Sequence, residues 1–125
     1  MTTYILSASA TYHVEGDMVL VTAYLLDPNT DMYKPQLVKS GTCWLLSGNT
    51  TIDTAVEFDR RYGTSEGNFQ IFFLHPSSLH HLRVRLSLVV IDGTNEDTYD
   101  YETHVIRVEA EDTGLEAQAP EDEVW

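Results

Sequence analysis

The chain has 125 residues, 20 of them acidic and 7 basic, for a formal charge of −13, and 42% of it is hydrophobic. That length fits one domain, and that hydrophobic content excludes a chain without a core. The charge excludes a nucleic-acid binder, which needs clustered Lys and Arg on phosphates, and a protein held on anionic lipid by electrostatics.

The N-terminus, Met1-Thr2-Thr3-Tyr4-Ile5-Leu6-Ser7, has no basic n-region and no apolar h-region, so no secretory signal is expected. No run approaches 18 apolar residues, so no membrane span is expected. Tyr4, Leu6, Ala8, Ala10, Tyr12 and Val14 alternate with Ile5, Ser7, Ser9, Thr11 and His13, a period of two that predicts a half-buried strand. Glu15-Gly16-Asp17 predicts a turn. Residues 18–26 predict a second strand, apolar on both faces and therefore inside a sheet. Asp27-Pro28-Asn29-Thr30-Asp31 breaks it with turn-forming residues.

Residues 32–40, with Pro35, read as a longer connection. Residues 42–47 predict a short strand holding Cys43 and Trp44, and residues 51–58 another, with Ile52, Thr54, Val56 and Phe58 on one face. Residues 60–68 read as a polar loop and 69–74 as an apolar strand. Pro76-Ser77-Ser78-Leu79 predicts one turn of helix with Pro near its start. Residues 82–92 are the clearest core strand, with Leu82, Val84, Leu86, Leu88 and Val90 on one face; 93–97 read as a hairpin loop and 98–108 as the last strand. Pairing across that hairpin would set Arg83 and Arg85 near Asp100 and Glu102. Tyr99 and Tyr101 are odd while Ile106 and Val108 are even, which predicts a bulge near Thr103 or His104. From 109 to 125 there are seven acids and no base, which leaves −6 for residues 1–108. This stretch, ending in Val124-Trp125, has too few apolar residues to order itself alone and reads as an acidic tail or as an arm that docks on a neighbour.

Seven short strands and no helical pattern predict an all-β fold: an antiparallel two-sheet sandwich, with a small closed barrel as the alternative. Within it, residues 19–27 resemble the second strand of immunoglobulin-like modules of the bacterial and phage type. Thr42-Cys43-Trp44-Leu45-Leu46 resembles their third strand, where a Trp often packs in the core, and Gly67-Asn68-Phe69-Gln70-Ile71-Phe72 their fifth. The resemblance spans residues 3–108. It implies an immunoglobulin-like sandwich over residues 1–108 and a separate tail over 109–125. It also implies a non-enzymatic structural module of a phage virion, such as a capsid decoration or tail accessory protein, made in the host cytoplasm and contacting neighbouring protein subunits. A cytoplasmic adaptor or inhibitor with an acidic arm, and a carbohydrate-binding module that stacks a glycan on exposed aromatics, are the alternatives. The lone Cys43 allows no intramolecular disulfide, in keeping with a reducing compartment.

Catalytic signatures are missing. There is no Gly-x-Ser-x-Gly elbow and no phosphate-binding glycine loop, and Cys43 beside Trp44 and Leu45 reads as a packed thiol. His75, His80 and His81 lie close in sequence, but neighbours on an extended segment point apart, so no metal site is expected. Residues 27–31 begin like a calcium loop, but Met32 and Val38 stand where Gly and Glu belong, so a turn is expected. No catalytic residue and no cofactor is therefore assigned. The candidate partner-binding residues are Tyr33 and Tyr62 in loops, Phe72, whose neighbour is Phe73 so that one of the two must leave the face of Phe69 and Ile71, and Val124 and Trp125.

Overall fold

Period-two alternation is realised as strand along most of the chain. The structure is a computed structural model that describes residues 3–109. Its nine strands are β1 (Ile5–His13), β2 (Met18–Asp27), β3 (Met32–Tyr33), β4 (Val38–Ser47), β5 (Thr50–Thr51), β6 (Val56–Phe58), β7 (Asn68–Leu74), β8 (Leu82–Asp92) and β9 (Asn95–Val108). The fold is all-β: a mixed nine-stranded sheet in the order β3-β2-β1-β9-β8-β4-β5, with β7 also on β2 and β6 also on β4. Val19, Val21, Ala23 and Leu25 are fully buried along one side of β2, which has neighbours on both edges as its sequence predicts. The same side of β8 buries Leu82, Val84, Leu86, Leu88 and Val90.

Several expectations are corrected. The sheet is not wholly antiparallel, because β1 and β9 pair in parallel from Ala10↔Val105 to His13↔Val108. The strand β9 is longer than β8, so after pairing with β8 through His104 its last residues run on and join β1. That switch of partner also replaces the predicted bulge. Tyr99, Tyr101, Thr103 and Val105 keep one parity, and Ile106 is 44% exposed. The irregularity falls instead between Val38 and Ser40 in β4. The hairpin loop shrinks to Gly93-Thr94, because Asp92 already pairs with Asn95. Residues 51–58 divide into β5 and β6, and the connection at 32–40 contains β3, a 3-10 turn at Pro35–Leu37 and the start of β4. No helical turn forms at Pro76–Leu79. His75 and His81 on either side adopt φ of 54° and 49°, which breaks a helical path.

One hydrophobic cluster holds the two ends of the sheet path together. It joins Val19, Val21, Leu25, Phe69 and Ile71 from the β2–β7 end to Leu45, Phe58, Leu86 and Leu88 from the β4–β8 end. Phe58 and Phe69 meet across it with ring centroids 5.3 Å apart. Gly41 makes that contact possible, since a Cβ there would lie 2.7 Å from Phe58 Cε2 and 2.8 Å from Leu88 Cδ2. Gly41→Val is therefore expected to cost about 1–3 kcal/mol through overpacking. A melting temperature unchanged in that variant would show that Phe58 yields freely.

Candidate functional site

The alternation that fills the core also fixes what faces outward. In β2 the outward residues are Met18, Leu20, Thr22, Tyr24 and Leu26; in β1 they are Ile5, Ser7, Ser9, Thr11 and His13; in β7 they are Gln70, Phe72 and Leu74. None of these is Asp, Glu, Lys or Arg, in a chain with 20 acids and 7 bases. The register assembles them into rows, because directly opposed residues share a face. Leu74 lies opposite Met18, which lies opposite His13; Phe72 lies opposite Leu20, then Thr11, then Ile106 of β9. Gln70, Thr22 and Ser9 form the next row, and beyond it Tyr24 and Leu26 meet Ser7 and Ile5. Two apolar ends thus flank a polar belt of Gln70, Thr22 and Ser9.

Exposure singles out the same face. Phe72 is 47%, Leu74 65%, Ile106 44% and Ile5 48% exposed. The predicted site residue Phe72 therefore points outward, as the burial of Phe69 and Ile71 requires. Tyr33 sits at the other end, opposite Leu26, with its ring 5.0 Å from that of Tyr24 and 45% of its surface exposed. Its side chain lies against Gly67, whose φ of +88° and whose Cβ position 2.9 Å from Tyr33 Cβ exclude larger residues. Phe72 and Tyr33 thus share one face at opposite ends. Tyr62 does not join them. It ends the 3-10 turn Arg60–Tyr62 and packs edge-on against Phe58 at 6.0 Å. Asp59 caps that turn, accepting from the Arg61 backbone N–H at 2.9 Å, and the Arg61 guanidinium draws its carboxyl down to about 2. Val124 and Trp125 lie outside the described residues. The sequence reading missed Met18, Leu20 and Leu74, whose signal was the absence of charge along their strands, and Ile106, which lies on the charged strand β9 and joins the face only through its pairing with Thr11.

A pinned turn borders this face. Tyr12 Oη donates to Asp17 Oδ1 at 2.8 Å, and Asp17 Oδ2 lies 3.0 Å from His75 Nδ1. The His75 contact, then the Tyr12 hydrogen bond, hold the Asp17 carboxyl below the usual carboxylate range. The His75 N–H also donates to the Asp17 carbonyl at 2.8 Å, so the β1–β2 turn is tied to the end of β7 beside Leu74.

The side of β4, β8 and β9 that faces away from the core is charged. Arg85 lies opposite both Trp44 and Glu102, and Ser87 opposite Asp100. These residues line an open depression of about 510 Å³. Glu102 pairs with Arg83, whose guanidinium also donates to the Gly48 carbonyl, and the Arg85 guanidinium lies 5.6 Å from the Trp44 ring centre. The register sets the arginines near the carboxylates as the sequence predicts: Arg83 pairs with Glu102, and Arg85, directly opposite Glu102, lays its guanidinium over the indole. Trp44 therefore does not pack in the core, contrary to the expectation from the resemblance. Cys43 takes the inward position, fully buried, and burial pushes its thiol up to about 12. Asp27 accepts from the Asn29 backbone N–H at 2.9 Å, the geometry of a turn closed by its own side chain. Among the described residues no three His, Cys, Asp or Glu side chains converge as metal ligands, and no helix is long and apolar enough to cross a membrane.

Compared with protein-family models, with curated proteins and with solved structures, the chain finds no match.

Proposed function

We propose that the protein is a non-enzymatic interaction module that docks on other protein subunits through the uncharged outward face of β1, β2 and β7. The observation that carries this reading is the lack of any charged residue at the outward positions of these strands in a chain of net charge −13. A face that stayed in water would gain from charge, and charge depletion is the compositional mark of the centre of an interface. The strand pairings support an immunoglobulin-like two-sheet sandwich as its scaffold, one layer built on β1, β2, β3 and β7 and the other on β4, β5, β6, β8 and most of β9. A rigid module of this kind suits a repeated role in a larger particle, and a phage virion component, a capsid decoration or tail accessory protein, is the assembly we favour. That last step rests on the resemblance of residues 19–27, 42–46 and 67–72 to strands of such modules.

Photo-cross-linking in the producing cells tests the docking reading. A benzoylphenylalanine in place of Phe72 is expected to give a cross-linked protein species, and one in place of Ser87, on the charged side, is expected to give none. No cross-link from position 72, whatever position 87 gives, would overturn it.

A further inference from the structure

Resting on that docking reading, we infer that the occupant of the uncharged face is a second copy of the same chain, packed face to face in a two-fold pair. Two observations point to it. The first is the pattern along the strands. The polar row Gln70–Thr22–Ser9 lies between the Phe72–Leu20 end and the Tyr24–Tyr33 end. A two-fold axis lying in the face and passing through that central row sets the belt on its own copy and each apolar end on an apolar end. Self-complementarity of this kind is what an isologous interface requires. Ser, Thr and Gln side chains in the belt each carry both donor and acceptor atoms, so belt can bond to belt with no buried charge.

The second observation is size. Three adjacent strands, β7, β2 and β1, at ~4.8 Å spacing and up to nine residues at ~3.3 Å each, with the four residues of β9 that pair with β1, outline roughly 500 Å² per copy. Two such faces bury about 1,000 Å², the lower bound for a specific interface and in keeping with a micromolar pair. Two sheets packing in this way keep their strand directions within about 30° and interdigitate side chains such as Phe72 and Leu20.

The charge predicts a diagnostic salt response. Each copy carries −13, so the pair repels at long range, while the contact itself holds no ion pair to be screened. Salt is therefore expected to tighten the pair, the opposite of an interface built on salt bridges.

Sedimentation equilibrium of the full chain decides the matter. The chain is expected to be dimeric at about 10–100 μM, as a micromolar dissociation constant requires. The dissociation constant is expected to fall as sodium chloride rises from about 20 to 300 mM, since screening weakens the repulsion. Phe72→Lys puts a charge on each side of the interface and is expected to weaken the pair at least ~100-fold. Its outward position leaves the core intact, which an unchanged circular dichroism spectrum checks. Ser87→Lys, on the charged side, is expected to leave the dimer unchanged. A chain that sediments as a monomer throughout, or a Phe72→Lys variant as dimeric as the parent, overturns the second copy as occupant. If the monomer nonetheless cross-links from position 72 to a protein of another mass, the docking reading stands and only the identity of the partner fails. If position 72 gives no cross-link either, both fail.

Discussion

Phe69→Ala is expected to destabilise the protein by about 3–5 kcal/mol, the cost of truncating a fully buried aromatic. Phe69 has no exposed surface, packs on the Phe58 ring at 5.3 Å and belongs to the cluster that ties the β2–β7 end of the sheet to the β4–β8 end. Its removal leaves a cavity where the two ends touch through aromatic rings. Against a total stability of about 5–15 kcal/mol this is a large fraction, and the urea midpoint is expected to drop by roughly 2–4 M. Phe72→Ala supplies the internal comparison. It is the same residue type on the same strand, but 47% exposed and outward, so its cost in the dilute monomer is expected to stay below about 1 kcal/mol. Equal losses in the two variants, measured at sub-micromolar protein, would show that the assignment of inward and outward faces on β7 is wrong.

That contrast also marks what a reader of the sequence sees and what stays hidden. Phe72 and Phe73 are adjacent, so one of them had to leave the face shared by Phe69 and Ile71, and it is Phe72 that does. The inward set of β8 and the even positions of β1 were equally plain, because alternation states directly which side chains share a face. Alternation does not state which strands are neighbours. The parallel pairing of Ala10 with Val105 joins residues far apart in sequence, and no local pattern encodes it. The two-residue strands β3 and β5 are too short to show a period at all. The Pro76–Leu79 segment has a proline suited to a helix start, but the left-handed residues that flank it are set by tertiary contacts. One of these is the hydrogen bond from His75 to the Asp17 carbonyl. The candidate face shows the same division. Residues 3–14, 18–26 and 67–74 each lack charge in the sequence, and each stretch alone reads as an ordinary strand. Only the register of β1 and β7 against β2 turns three uncharged stretches into one surface. Trp44 shows the reverse case: its sequence neighbourhood suggested the core, but the strand parity that buries Cys43 and Leu45 places the indole outside, where Arg85 covers it.

The buried thiol gives the fold a specific weakness at high pH. Cys43 is fully buried on β4, and burial alone raises its ionisation from 9.0 to about 12. Tyr4 moves the same way, also to about 12, chiefly because its hydroxyl donates to Asp92 Oδ2 at 2.6 Å and then because it is buried. Burial, then the Asp17 hydrogen bond, raises Tyr12 as well. In each case the folded chain holds the proton more tightly than the unfolded chain. Below pH 9 both states are protonated at Cys43 and nothing is lost. As pH rises from 9 towards 12 the unfolded thiol ionises first, the unfolded state is favoured, and stability falls by up to ~1.4 kcal/mol per pH unit from this residue. At pH 10.5 the loss from Cys43 is therefore expected to be about 2 kcal/mol relative to pH 8. Urea midpoints of the parent and of Cys43→Ala at pH 8, 9.5 and 10.5 measure it. The alanine variant begins lower, because it leaves a small cavity, but is expected to decline less steeply, so the two curves converge as pH rises. Both keep the slope contributed by Tyr4 and Tyr12, so the difference between the curves isolates the thiol. Parallel curves would mean that Cys43 ionises in the folded chain much as it does in the unfolded one. A native thiol that reacts with a disulfide reagent at pH 8 as fast as in urea would mean the same. In either event the interior of β4 would be open to water.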